Sequence, residues 1–142
     1  DRIRWLEFRR VLFRSRVKPL IDGRQIKFLG EVSNQARSVY LRQAKALLFP
    51  IRWREPFGLT MIEAMACGTP VIAFKEGSVP EVVKQGKTGY IVAGIRQMAA
   101  AVKKIDKISR ERCRAEVEKR FTIQTMAQAY ERVYYKVLSK KS

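Results

Sequence analysis

Three short unbroken apolar runs constrain the fold most: Ala46–Phe49, Val71–Phe74 and Tyr90–Val92. Each is too short for a helix and shows no alternation of apolar and polar residues. A strand covered by helices on both faces has this pattern, and strands of that kind belong to parallel sheets. Pro50 stops the first run, and the Lys87-Thr88-Gly89 turn introduces the last. A fourth strand signal, Ile26–Leu29, ends at Gly30.

Helical patterns fill the spaces between these runs. Residues 34–45 place Ala36, Val39, Tyr40, Leu41 and Ala44 near helical period, with Asn34 able to cap the start. Leu59–Cys67 is rich in helix formers and stops at Gly68, before Thr69 and Pro70. Pro80–Val83 reads as a helical turn. From Ile95 onward only helices are expected: Arg96–Ile105, a second capped by Ser109 and running to about Arg120, and a long third opened by Thr122. The third carries apolar residues at Ile123, Met126, Ala127, Tyr130, Val133, Tyr134, Val137 and Leu138. Strands alternating with helices predict an α/β fold, a doubly wound Rossmann-like parallel sheet with C-terminal helices.

The stretch that carries chemistry is Phe49–Phe74, FPIRWREPFGLTMIEAMACGTPVIAF. A strand delivers the loop Ile51–Phe57 to a helix starting near Gly58, at the carboxyl end of a parallel strand, where open α/β sheets bind ligands. The amides of Gly58, Leu59 and Thr60 in the first turn have no partner within the helix and form an anion site. Gly58 has no Cβ to obstruct a close approach. Two glutamates bracket the junction, Glu55 on the loop and Glu63 on the helix, spaced E-x7-E. Each carboxylate accepts two hydroxyl donors, so the pair could grip a ribose and a hexose on either side of a phosphate. Two plainer readings stay open on spacing alone. Thr60-x-x-Glu63 fits a capping box, and Glu55 before Pro56 fits a solvated loop charge.

The chain has 142 residues, a formal charge of +17 and no histidine. Histidine acid–base chemistry and Ser-His-Asp triads are therefore excluded, and Cys67 and Cys113 have no metal-ligand spacing. No apolar run approaches the roughly 20 residues of a membrane span. The charge suits polyanion partners, but the aromatics do not interleave with basic residues as a stacking platform, so no nucleic acid is expected. Lys103, Lys104, Lys107, Arg110, Arg112, Arg114, Lys119 and Arg120 concentrate on helix faces and read as a solvated surface. Contact with an anionic membrane surface stays open.

EPFGLTMIEAMACGTPVIAF resembles the signature of glycosyltransferase family 4, whose members are retaining enzymes of GT-B fold. IKFLGEV before it, GSVPEVVKQGKTGYIV after it and the closing RFTIQTMAQAYERVYYKVL continue the resemblance, from about residue 24 to 138. It implies a nucleotide-diphosphate sugar as donor substrate, with no cofactor or metal, and transfer with retention of anomeric configuration. It implies that Glu55 is catalytic, beside the hexose and its anomeric carbon. Substrate-binding roles fall to Glu63 on the ribose, to Gly58, Leu59 and Thr60 on the diphosphate, and to Phe57 beside the sugar. Val32 is expected near the base, and Glu81 is expected to be mainly structural. A phosphorylase or a sugar-nucleotide epimerase of the same fold remains an alternative, as does a basic anion-binding module. The resemblance covers only the C-terminal, donor-binding half. It implies a missing N-terminal acceptor domain as partner, inactivity of the fragment alone, and a cytoplasmic location.

Residues 1–15 stand apart. Leu6–Ser15, LEFRRVLFRS, resembles the translation of a short-read sequencing adapter, with Trp5 where the adapter frame carries TGA. The segment is expected to be non-native, with the donor domain in residues 16–142. Its first strands, which carry the phosphate-clamping Arg and Lys, are expected to lie upstream. The Ile26 strand is then expected to sit apart from the Ala46 strand or to close the gap non-natively.

Overall fold

The computed structural model describes residues 13–139. Most of the adapter-like segment, residues 1–12, lies outside them. The chain divides into two compact units, residues 1–33 and 34–142.

In the first unit a single π turn, Phe13–Val17, leads into a 3-10 turn, Lys18–Leu20. Ile26–Leu29 forms no strand, against the sequence expectation. The cause is local. Asp22 Oδ1 accepts the amides of Arg24, Gln25 and Ile26 at 2.8, 2.8 and 2.9 Å, while Gly23 donates to the Ile26 carbonyl at 3.1 Å. Both backbone groups of Ile26 are thereby committed to a turn, leaving none for a ladder. The amide bonds, that of Ile26 foremost, hold the Asp22 carboxyl below its usual range.

The second unit contains the sheet. Its elements are α1 (Asn34–Gln43), β1 (Leu47–Phe49), α2 (Leu59–Ala66), β2 (Val71–Phe74), α3 (Val79–Val82), β3 (Gly89–Val92), α4 (Ile95–Val102), α5 (Arg110–Arg120) and α6 (Ile123–Leu138). The strands are parallel in the order β1-β2-β3, with Leu47 opposite Val71 and Val71 opposite Gly89. All four residues of β2 are buried, as its unbroken apolar run predicts, whereas β1, at one edge of the three strands, leaves Leu48 48% exposed, against the expectation of burial on both faces. Met61, Met65, Val71 and Ile72 are fully buried and join α2 to the sheet. Each such side chain contributes about 1.5–3 kcal/mol by leaving water.

Helix starts at Ser109 and Thr122 follow the sequence signals: Ser109 Oγ accepts from Arg112 N at 3.2 Å, and Thr122 Oγ1 from Thr125 N at 3.1 Å. The basic residues of α5 and its approaches are not one solvated face. Arg110 donates to the carbonyls of Ala44 and Arg42 at 2.9 and 2.6 Å and to Thr69 Oγ1 at 2.9 Å. Thr69 in turn donates to the Leu41 carbonyl. Arg110 therefore satisfies carbonyls at the C-terminal end of α1, which have no helical partner. The helix α6 forms over the expected residues yet buries none of them. Among the described residues no helix is long and apolar enough to cross a membrane.

Candidate functional site

β1 ends at Phe49, and the loop after it runs to Gly58, the residue before α2. Gly58 has φ of 76°, a left-handed conformation in which a Cβ is unfavourable. The position a Cβ would take is filled by Met61 Cε, and Ser78 Oγ lies 3.3 Å from it. The missing side chain thus makes room for core packing on that side of the residue. Gly58 has no side chain to cap α2, and among the described residues no side chain accepts from the Leu59 or Thr60 amide.

A cavity of about 220 Å³ opens at this junction. Glu55, Phe57, Gly58, Leu59 and Thr60 line it, with Phe49 and Ile51 behind. The structure therefore brings five of the six sequence-predicted residues into one cleft. Phe57 is 50% exposed and Leu59 63%, so the cleft is open to a ligand. Glu55 Oε2 accepts from Trp53 Nε1 at 3.0 Å. The Glu55 backbone is held from the other side, where its carbonyl accepts the Ser78 amide at 3.0 Å. Arg52 stacks over the Phe74 ring at 4.7 Å.

Glu63 does not line the cavity, and the capping-box alternative does not form. The helix begins one residue after Gly58, which makes Glu63 its fifth residue, too far along to reach back to the cap amide. Its Oε1 instead accepts from Arg37 Nη2 at 2.8 Å. Val32 lies in the first unit and is 36% exposed. At Glu81 it is the backbone that has a structural partner: Arg120 donates to its carbonyl at 2.7 Å.

Sequence reasoning missed Arg37, Trp53 and Gly77, against which the Glu55 backbone packs, as supports of the two acids. Trp53 stands two residues before Glu55, but Arg37 and Gly77 are distant in sequence and left no local signal. A second cavity of about 430 Å³ adjoins the first through Phe57 and Leu59 and runs along Phe121, Met126 and Tyr130.

The chain is 35% identical over 130 residues to the N-acetyl-alpha-D-glucosaminyl L-malate synthase of Bacillus anthracis, covering 86% of this chain and 33% of that protein. It is 31% identical over 137 residues to the phosphatidyl-myo-inositol mannosyltransferase of Mycobacterium leprae, covering 91% of this chain and 36% of that protein. Among solved structures, the sucrose-phosphate synthase from Thermosynechococcus elongatus superposes with a TM-score of 0.75 at 29% identity, over 89% of this chain and 35% of that one. The chain thus spans about a third of the length of these relatives. The sequence profile described as glycosyl transferases group 1 matches residues 13–127, and the chain belongs to that family.

Proposed function

We propose that this chain is the donor-binding part of a retaining, metal-independent glycosyltransferase of the family 4 type, acting on a nucleotide-diphosphate sugar. One observation carries the reading: the uncapped N-terminus of α2 opens into the same cleft as the Glu55 loop and Phe57. A diphosphate seated on the first-turn amides meets the positive end of the helix dipole. As the glycosidic bond breaks, charge grows on the leaving phosphate, and those amides compensate it where it develops. Glu55 faces the hexose end of the donor. Glu63, outside that cavity but three residues past Thr60 on α2, would take the ribose further along the helix.

The acceptor-binding part corresponds to the portion of the relatives that this chain does not match. It would cover the apolar side of α6, where Ile123, Met126, Tyr130 and Val133 are all more than half exposed. The 142-residue chain accordingly binds donor without transferring it. Relatives named for glucosaminyl and mannosyl transfer support a sugar of hexose type. The protein works in the cytoplasm, and the positive charge suits contact with an anionic membrane surface, though α6 is assigned to the acceptor part.

Calorimetry of the 142-residue chain with UDP-, GDP- and ADP-sugars tests the reading. One nucleotide class is expected to bind. Glu55→Gln is expected to weaken the sugar nucleotide and leave the free nucleoside diphosphate unchanged. Equal affinity for both ligands in the native chain, unaltered by that substitution, would sink the assignment of Glu55.

A further inference from the structure

Trp53 is tied to Glu55 twice. Its indole Nε1–H donates to Glu55 Oε2 at 3.0 Å, and its carbonyl accepts the Glu55 amide at 2.9 Å. The backbone bond closes a three-residue turn over Trp53, Arg54 and Glu55. The side-chain bond then fixes the edge of the indole against the carboxylate. An indole has one donor and no acceptor, so this bond uses all of its polar capacity. Its flat face remains, and the residue is 58% exposed. A tryptophan left this open adds little to the core, but its fixed orientation makes it a rigid apolar platform beside an acid.

Its place relative to the cleft decides what it can hold. Glu55 lines the cavity with Phe57, Gly58, Leu59 and Thr60, whereas Trp53 does not. The indole therefore stands beside the acid but outside the space proposed for the sugar nucleotide. With Glu55 at the hexose end of the donor, an acceptor has to reach that end from outside the filled cavity, on the side where the indole stands. We infer that Trp53 is an acceptor-binding residue, whose indole face stacks against the ring of a pyranose or cyclitol acceptor. The inference rests on the reading of Glu55 as the acid at the reacting end. The C–H bonds on one face of such a ring carry a small positive charge and pack on the negative face of an indole. Hydroxyls at the ring edge stay free, one of them to meet the anomeric carbon. An open-chain polyol has the hydroxyls without the flat face, so the platform selects rings.

The test is an NMR titration of the isotope-labelled 142-residue chain. Trp5 and Trp53 are its two tryptophans, so Trp5→Phe leaves Trp53 as the one indole N–H signal. Methyl β-D-glucopyranoside and myo-inositol serve as rings and sorbitol as the open-chain control, up to high-millimolar concentration, because a single stacked face binds weakly. A ring is expected to shift the indole signal saturably, and sorbitol is not. Trp53→Ala is expected to weaken the ring roughly fivefold, read at the Glu55 amide. Trp53→Phe, which keeps a ring face and loses the N–H, is expected to restore most of that loss. If Trp53→Phe binds as weakly as Trp53→Ala, the indole serves only to hold Glu55 and the stacking role is refuted. Equal shifts with sorbitol, or no shift with either ring, refute it as well. If Trp53→Ala weakens a sugar nucleotide well beyond Trp53→Phe, the face serves the donor hexose and the acceptor role falls. UDP, GDP and ADP added to the same chain report on the cleft separately. Nucleotide shifts at Gly58 to Thr60 without a response of Trp53 to rings overturn the inference and leave the donor reading standing. A response of Trp53 to rings without any nucleotide shift overturns the donor reading and the acceptor role with it.

Discussion

Gly77 and Glu55 are in direct backbone contact: a Cβ on Gly77 would lie 2.5 Å from the Glu55 carbonyl oxygen and 2.7 Å from its amide nitrogen. The loop after β2 thus supports the loop that carries the acid. This glycine is required twice over, since its φ of 49° is also left-handed. Gly77→Ala is expected to cost about 2 kcal/mol or more, from backbone strain and the clash together. It should also weaken sugar-nucleotide binding by displacing Glu55. Gly86 is the control, with φ of 69° and nothing within 4 Å of a built Cβ. Gly86→Ala should cost only about 1 kcal/mol. Urea unfolding of both variants measures the difference, and equal costs would refute the contact.

Ser78 donates its amide to Glu55, but its hydroxyl is buried and has no hydrogen-bond partner among the described residues. An orphaned hydroxyl costs free energy that removing it recovers. Ser78→Ala should therefore leave stability unchanged or raise it by up to about 1 kcal/mol. A loss of about 2 kcal/mol in denaturant would mean that the hydroxyl has a partner.

Arg110 joins α5 to the end of α1 through three acceptors. Arg110→Ala should destabilise the chain by about 1–3 kcal/mol, the range for hydrogen bonds to a charged donor. The neighbouring Arg112, whose side chain forms no salt bridge among the described residues, should tolerate alanine within about 0.5 kcal/mol. Thermal unfolding of the two variants separates a structural arginine from a solvated one.

Cys113 is fully buried, and burial pushes its thiol from 9.0 up to about 11. The folded state therefore keeps a proton that the unfolded chain releases first. The resulting stability is fully present below pH 9 and is lost as pH rises toward 11, by about 2 kcal/mol if this group acts alone. Cys113→Ala should flatten that part of the pH profile. At pH 8 a thiol reagent should modify the half-buried Cys67 first and reach Cys113 only on unfolding.

Local chemistry was enough to read the three parallel strands, though only β2 is buried throughout, the caps at Ser109 and Thr122, and the loop-to-helix junction with Glu55 and Phe57–Thr60. An apolar run, a hydroxyl before a helix, or a glycine in a left-handed turn acts through neighbours in the chain. The Ile26 segment was misread because its strand signal is compositional, whereas Asp22 captures its backbone groups within a few residues. Tertiary structure alone decided the rest. It brought Arg37 to Glu63, Gly77 to Glu55 and Arg110 to the end of α1, across 26, 22 and 66 residues. The helix start at Gly58, legible in the sequence, already leaves Glu63 out of a cap, but only the packing of α1 on α2 decided that Arg37 would stand against it. Contacts over such separations come from crossover connections and packed layers, and no local pattern encodes which side chain will stand opposite.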